Sequence, residues 1–359
     1  MLRDEIAARG PISFARFMVV ALYSPGLGYY EQPDGPTGRR GDFLTSVSVG
    51  GLFGELLAFR FADWLVAIPG SERQIVEAGA HDGTLARDIL TWLQTHRPAL
   101  AATVEYWIIE PSQRRRESQE RTLANFAHRV KWFGSWEEVP TTGVRGVIFA
   151  NELLDAMPVR RIGWDAAAGR WFEWGVAVSG GDFVWTRMPA PDSDEDEGHC
   201  GWPDLPRELL AALPNGFTTE VCPAAVQWWS SAARALRAGR LITLDYGLTT
   251  EQFFEPERKN GTLRAFFRHH QVADLLARPG EQDLTAHVNF TAIQKAGEAA
   301  GLQTGELTTQ ERFLTGIVRD ALPTPELHPW ITTRTRQFQT LTHPEHLGQS
   351  FRVLWQTRA

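Results

Sequence analysis

Apolar residues recur at helical spacing twice in the first seventy positions. Ile6, Phe14, Phe17, Met18 and Leu22 make one stripe, and Phe53, Leu56, Leu57, Phe61, Leu65 and Ile68 make another. Ser24-Pro25-Gly26 breaks the first, and a polar, glycine-rich loop follows over 34–41. Residues 1–68 are therefore read as helical. From Gln74 short apolar runs take over, at 74–77, 104–110, 130–133, 147–150, 241–247 and 351–355, each of strand length. Helical patterns lie between or beside them at 84–92, 111–126, 224–236 and 290–300, the last stopped by Gly301. Strand and helix alternating in this cadence predict βαβ units, a parallel sheet and a doubly wound α/β fold. The alternation is interrupted twice, by insertions at about 156–219 and 249–288. The first holds strands at 171–178 and 183–188, an acidic solvated run at 192–197, and Trp164, Trp171, Trp174 and Trp185, read as packing a β-rich insertion. The chain thus divides into a helical N-terminal extension, 1–70, and an α/β core, 71–359.

Composition narrows the function. The chain has 359 residues, 43% of them hydrophobic and 22% charged, enough for a sizeable core. A net charge of -7 weighs against a nucleic-acid partner. The two cysteines, Cys200 and Cys222, lack metal-ligand spacing, and His269-His270 lacks a third ligand nearby, so no metal site is expected. The first residues carry no signal-peptide pattern, and Glu55, Arg60 and Asp63 interrupt the most apolar stretch, so the expectation is a soluble, cytoplasmic chain without membrane insertion.

Three sites carry chemistry. The first is the turn Glu77-Ala78-Gly79-Ala80-His81-Asp82-Gly83-Thr84, where two glycines between a strand and a helix let backbone approach a ligand. A strand-to-helix turn that merely needs glycine reads the same way. The dinucleotide spacing G-x-G-x-x-G is absent, because positions 81 and 82 are histidine and aspartate. The second is Glu110, at the end of the second strand, placed to accept hydrogen bonds from ribose hydroxyls or to sit at a helix N-terminus. Together they point to a nucleoside cofactor without choosing between nicotinamide and S-adenosylmethionine. The third is Asn151, Glu152 and Asp155 after the fourth strand, which either face a ligand or cap a helix.

Ten segments then occur in one order: Gly10-Pro11-Ile12-Ser13-Phe14, the run YSPGLGYY at 23–30, Gly41-Asp42-Phe43-Leu44-Thr45, Phe53-Gly54-Glu55-Leu56-Leu57, Glu110-Pro111-Ser112, the run 151–159, Glu220-Val221-Cys222-Pro223, Asp245-Tyr246-Gly247, Gly261-Thr262-Leu263-Arg264 and Thr285-Ala286-His287-Val288. In this the chain resembles the MidA-like methyltransferases, relatives of a mitochondrial complex I assembly factor that methylates arginine. The resemblance spans about 10–315. It implies a seven-stranded class I methyltransferase sheet, S-adenosylmethionine as methyl donor, and an arginine presented by a protein, by analogy a respiratory complex I subunit, as acceptor.

Carried over by position, the resemblance implies that Gly79 and Gly83 hold the methionine part of the cofactor above Glu77, and that Glu110 and Asn151 belong to the same site. Gly41, Asp42 and Thr45 would close over the cofactor. Glu152, Asp155 and His287 would serve catalysis: Glu152 first and Asp155 second as the carboxylates that orient a guanidinium, His287 as a proton relay, with Asp245 lining the same crevice. One departure stands out: Ala80 and His81 occupy positions where the family has proline and glycine. With positive φ, His81 carries strain of about 1 kcal/mol or more. Two alternatives follow, a catalytically weakened assembly or binding protein that keeps the fold, and a small-molecule methyltransferase.

Overall fold

The computed structural model describes residues 1–32, 45–70, 72–188, 202–203, 205–268 and 270–359. Gly41, Asp42, the acidic run, Cys200 and His269 lie outside the described residues. The chain divides into two compact units. The first combines the described residues of 1–43 with those of 155–226 and 248–291, and the second combines those of 44–154 with 227–247 and 292–359.

The second unit is built on seven strands: β1 (Arg73–Ala78), β2 (Val104–Ile109), β3 (Val130–Phe133), β4 (Val144–Asn151), β5 (Leu236–Leu248), β6 (Gln303–Thr309) and β7 (Phe351–Arg358). Their order across the sheet is 3-2-1-4-5-7-6. Neighbours among β1 to β5 are parallel, while β7 runs antiparallel to both β5 and β6. The centres of the parallel strands are apolar, with Ile75–Val76, Tyr106–Ile109, Val147–Ala150 and Leu241–Ile242 buried, because both faces of the sheet are covered. On one face pack α1 (Leu52–Val66) and α2 (Thr84–His96), with Phe61, Leu57, Ile89, Leu93, Ile75, Phe149 and Phe351 in one core. On the other, Trp229 donates through Nε1 to Gln356 Oε1 at 2.7 Å. Gly54 is required where α1 meets α2, since a Cβ there would lie 2.7 Å from Cβ of Asp88.

The first unit is antiparallel. Strands 160–165, 170–179, 182–187 and 218–221 form one sheet, whose edge is Ile12–Ser13 paired to Gly175–Val176. A second sheet joins 264–267, 270–272 and 283–285. Helices Leu2–Arg9 and Phe14–Tyr23 bury Phe14, Phe17, Met18 and Leu22 against Val159, Val176 and Leu284. The tryptophans pack this region: Trp164 and Trp171 meet edge to face at 5.0 Å, and the Arg161 guanidinium lies 4.4 Å from the Trp185 ring centre.

Several boundaries differ from the sequence expectation. The stretch 1–68 is not helical throughout. Gly10, at φ +81, and Pro11 end the first helix, and Ile12–Ser13 becomes a strand. The polar helix after the second strand, α3, covers Gln113–Thr122, because the Ser112 hydroxyl caps it by accepting from Arg115 N–H. Strands 160–165, 218–221 and β6 had no counterpart in the sequence reading. Strand β6 is Gln-Thr-Gly-Glu-Leu-Thr-Thr, and only Thr308 within it is buried, so an edge strand of the sheet left no apolar run.

Candidate functional site

Strand register brings the predicted cofactor residues of the second unit into one line. Ala78 pairs with Ile109 of β2 on one side and with Ala150 of β4 on the other. The next residue of each strand is therefore Glu110, Gly79 and Asn151, side by side at the carboxyl ends of parallel strands. Leu244 of β5 pairs with Asn151, which places Asp245 beside Glu152. Ligands of open α/β sheets bind at this crest.

The turn after β1 takes left-handed backbone at three alternate positions: Gly79 (φ +72), His81 (φ +50) and Gly83 (φ +82). Both glycines also answer to packing. A Cβ on Gly79 would lie 2.9 Å from Leu153 Cδ1, and one on Gly83 would lie 3.4 Å from Gln119 Cα. His81 is the strained member, at a cost of about 1–2 kcal/mol for a non-glycine residue. Its carbonyl accepts from Gln119 Nε2 at 3.1 Å, and its imidazole Nδ1 lies 3.6 Å from the Asp82 carboxylate. Burial raises the Asp82 carboxyl, but His81 and the Thr84 N–H, which donates at 2.9 Å, more than offset it and hold the group well below the usual carboxylate range.

Beneath the turn, Glu77 is buried. Burial pushes its carboxyl up to about 8, against the lowering effect of the Tyr106 hydroxyl, which donates to it at 2.6 Å. Glu77 is therefore largely protonated at neutral pH. Glu110 is also buried. Its carboxylate accepts from Ser112 N–H at 3.0 Å and from Gln119 Nε2 at 3.1 Å. The Ser112 contact is the helix-terminal arrangement that the sequence left open beside the ribose reading. Gln119, fully buried, is a site residue that sequence reasoning missed. It lies in a polar run whose only signal is the absence of an apolar stripe.

The run after β4 is tightly determined. Glu152 has φ +51, and its N–H donates to Leu244 C=O at 3.0 Å. Asp245, fully buried, accepts from Leu153 N–H at 3.2 Å, Leu154 N–H at 2.9 Å and Tyr246 N–H at 2.8 Å. Asp245 thus clamps the turn that aims Glu152. The Glu152 carboxylate accepts from the backbone N–H of Ser46 and from Asn151 Nδ2, both at 3.0 Å. Ser46 opens a short helix for which Thr45 is the N-cap, so Glu152 engages a helix start, one of the two roles its position allowed. Asn151 Oδ1 is buried without a hydrogen-bond partner among the described residues, an acceptor open to a donor at the crest.

Asp155 and His287 belong to the first unit, which brings their chain segments together: Ala286 N–H donates to Asp155 C=O at 2.9 Å. His287 N–H donates to Thr262 Oγ1 at 3.1 Å, and that hydroxyl donates to buried Glu220 at 2.9 Å. Gly261, at φ +82, lets Glu220 close on the backbone, since a Cβ there would lie 2.1 Å from Oε1. Burial, then Arg264 and Arg258, lower the imidazole of His287 to about 4, so it is neutral at physiological pH. Its Nδ1 is buried without a partner among the described residues. In the YSPGLGYY run, Tyr23 donates to Ala156 C=O at 2.7 Å and Tyr30 to Asp283 at 2.8 Å. Among the described residues no group of three or more potential metal ligands forms, and no helix is long and apolar enough to cross a membrane.

Strand order 3-2-1-4-5-7-6 with β7 reversed, a glycine turn after β1 and an acid after β2 define a class I methyltransferase fold. A family model for S-adenosyl-L-methionine-dependent methyltransferases matches residues 56–308, and the chain belongs to this family. It is 30% identical, over 84% of its own length and 70% of the relative's, to the Drosophila melanogaster mitochondrial protein arginine methyltransferase NDUFAF7 homolog. It is 27% identical to human mitochondrial protein arginine methyltransferase NDUFAF7, over 98% of this chain and 81% of that one. A solved structure from Burkholderia thailandensis, with S-adenosyl-homocysteine bound, matches with a TM-score of 0.83 at 33% identity, covering 99% of this chain and 90% of that one. The resemblance drawn from the ordered motifs is borne out.

Proposed function

We propose that this chain transfers a methyl group from S-adenosylmethionine to an arginine presented by a protein. The observation that carries the acceptor is the similarity, over 98% of the chain, to a protein named as an arginine methyltransferase. The cofactor reading is supported by the line Glu110–Gly79–Asn151 at the strand ends and by the unpartnered Asn151 Oδ1. These residues fit a nucleoside carrying an amino-acid moiety, with Glu110 accepting from the ribose, Gly79 and Gly83 shaping the turn around the methionine part, and Thr45, Gly41 and Asp42 as the proposed cover. When bound, S-adenosylmethionine supplies a methyl group activated by its sulfonium.

The rest falls to the chain's own carboxylates. A guanidinium stays protonated at neutral pH and is a poor nucleophile until its charge is drawn to the far nitrogens. Glu152, fixed in left-handed backbone by the Leu244 and Asp245 contacts, is assigned to orient that fork, and Asp155 is the second candidate. His287 is neutral and offers an acceptor nitrogen for the released proton.

The test is incubation of the protein with methyl-labelled S-adenosylmethionine and candidate proteins, a respiratory complex I subunit first, followed by mass spectrometry of the product. Methylarginine that depends on Glu152 supports the reading. Label on a small molecule alone would replace it.

A further inference from the structure

Gln119 is the single buried residue of α3, a helix that otherwise consists of arginine, glutamate, glutamine, serine and threonine. A glutamine wholly removed from water on such a helix is held there by its amide. Its Oε1 accepts from Trp132 Nε1 at 3.0 Å. An indole N–H only donates, so this contact fixes which end of the amide is oxygen. The nitrogen then faces two acceptors at 3.1 Å each, the carbonyl of His81 and Oε2 of Glu110. Gly83 lies beside Gln119: a Cβ there would meet Gln119 Cα at 3.4 Å, and its φ of +82 favours glycine at this position.

We infer that Gln119 is a positioning residue for selection of a ribose-bearing cofactor, an inference that rests on Glu110 as the ribose acceptor. One amide nitrogen couples the left-handed His81 peptide to the Glu110 carboxylate, so the turn and the acid keep one register. The same link holds His81 at the one left-handed position of this turn that is not glycine. Gln119 acts through Glu110 and the turn, without a role in the transfer step.

The experiment is calorimetric titration of the full chain with S-adenosylhomocysteine and with its 2′-deoxyribose analogue. The variants are Glu110→Ala, Gln119→Glu and Gln119→Met. The wild type prefers the ribose compound, and Glu110→Ala abolishes that preference. Gln119→Glu keeps an oxygen for Trp132 but replaces the amide donor with a carboxyl that repels Glu110 or shares its proton. It weakens S-adenosylhomocysteine binding roughly tenfold, the equivalent of one hydrogen bond, and narrows the ribose preference toward that of Glu110→Ala. Gln119→Met, unbranched and of similar size, does the same. Either variant, if folded, decides the matter. Equal losses for both ligands, wild-type behaviour, or failure of both variants to fold would overturn the inference, since each makes Gln119 a packing or stability residue. A retained preference in Glu110→Ala would remove the ribose reading underneath it, which is a separate and recognisable failure.

Discussion

The carboxylate of Asp245 accepts the backbone N–H of Leu154 at 2.9 Å, and that contact, with a second to Leu153, holds Glu152 in left-handed backbone. Strained non-glycine residues persist only where their surroundings over-determine them. Replacing Asp245 with alanine leaves three backbone N–H groups, that of Leu154 buried, without their acceptor and is expected to cost about 3 kcal/mol, as measured by denaturant unfolding. Methyl transfer should fall further than stability accounts for, because Glu152 is released with the turn.

Gly79 is needed twice over, for its φ of +72 and for the 2.9 Å approach of Leu153 to the site of a Cβ. Gly79→Ala should destabilise by about 1–2 kcal/mol from backbone conformation, plus the steric clash. Measured against Leu153→Ala alone, adding Gly79→Ala should cost only the backbone part, because the clash is gone. A double variant as stable as Leu153→Ala would show that φ is not the constraint.

Glu77 gives the protein a pH dependence of definite sign. Its carboxyl is raised from 4.5 to about 8 on folding, by burial. The folded state then binds the proton more tightly than the unfolded one, so its contribution to stability is fully present below about pH 4.5 and is lost as pH rises through about 8. Thermal melts of Glu77→Gln should show a flatter profile than wild type across that window. Parallel profiles would mean that Glu77 is ionised in the fold.

Glu152→Gln should reduce kcat by about a hundredfold or more, the usual scale for a positioned acid or base, while S-adenosylhomocysteine affinity stays near wild type. An unchanged kcat would confine Glu152 to its hydrogen bond with Ser46 N–H.

The doubly wound sheet was legible because β1, β2, β4 and β5 carry short apolar stretches at their centres, buried on both faces of the sheet. The turn at 79–83 and Glu110 were legible because strand ends punctuated by glycine and proline are local signals. What stayed hidden was non-local. Strand β6 carries one buried residue, Thr308, and the strand at 218–221 is short and polar. The capture of Ile12–Ser13 by Gly175–Val176 joins positions far apart in sequence. Asp245, read as lining a crevice, spends its carboxylate on backbone N–H groups, a use that no residue pattern announces. Gln119 was invisible for the same reason, since its partners are the turn after β1, the residue after β2 and Trp132 of β3. Gly261 and Glu220, noted only as motif members, are explained by their fit to one another.

The crest formed by Gly79 and Glu110 is the proposed seat of S-adenosylmethionine. Calorimetry with S-adenosylhomocysteine on the wild type and on Glu110→Ala tests it most directly. The account predicts one-to-one binding by the wild type and at least about a tenfold loss in the variant, on the scale of one to two hydrogen bonds to a charged acceptor. Absence of binding by the wild type, or equal binding by both, would contradict it.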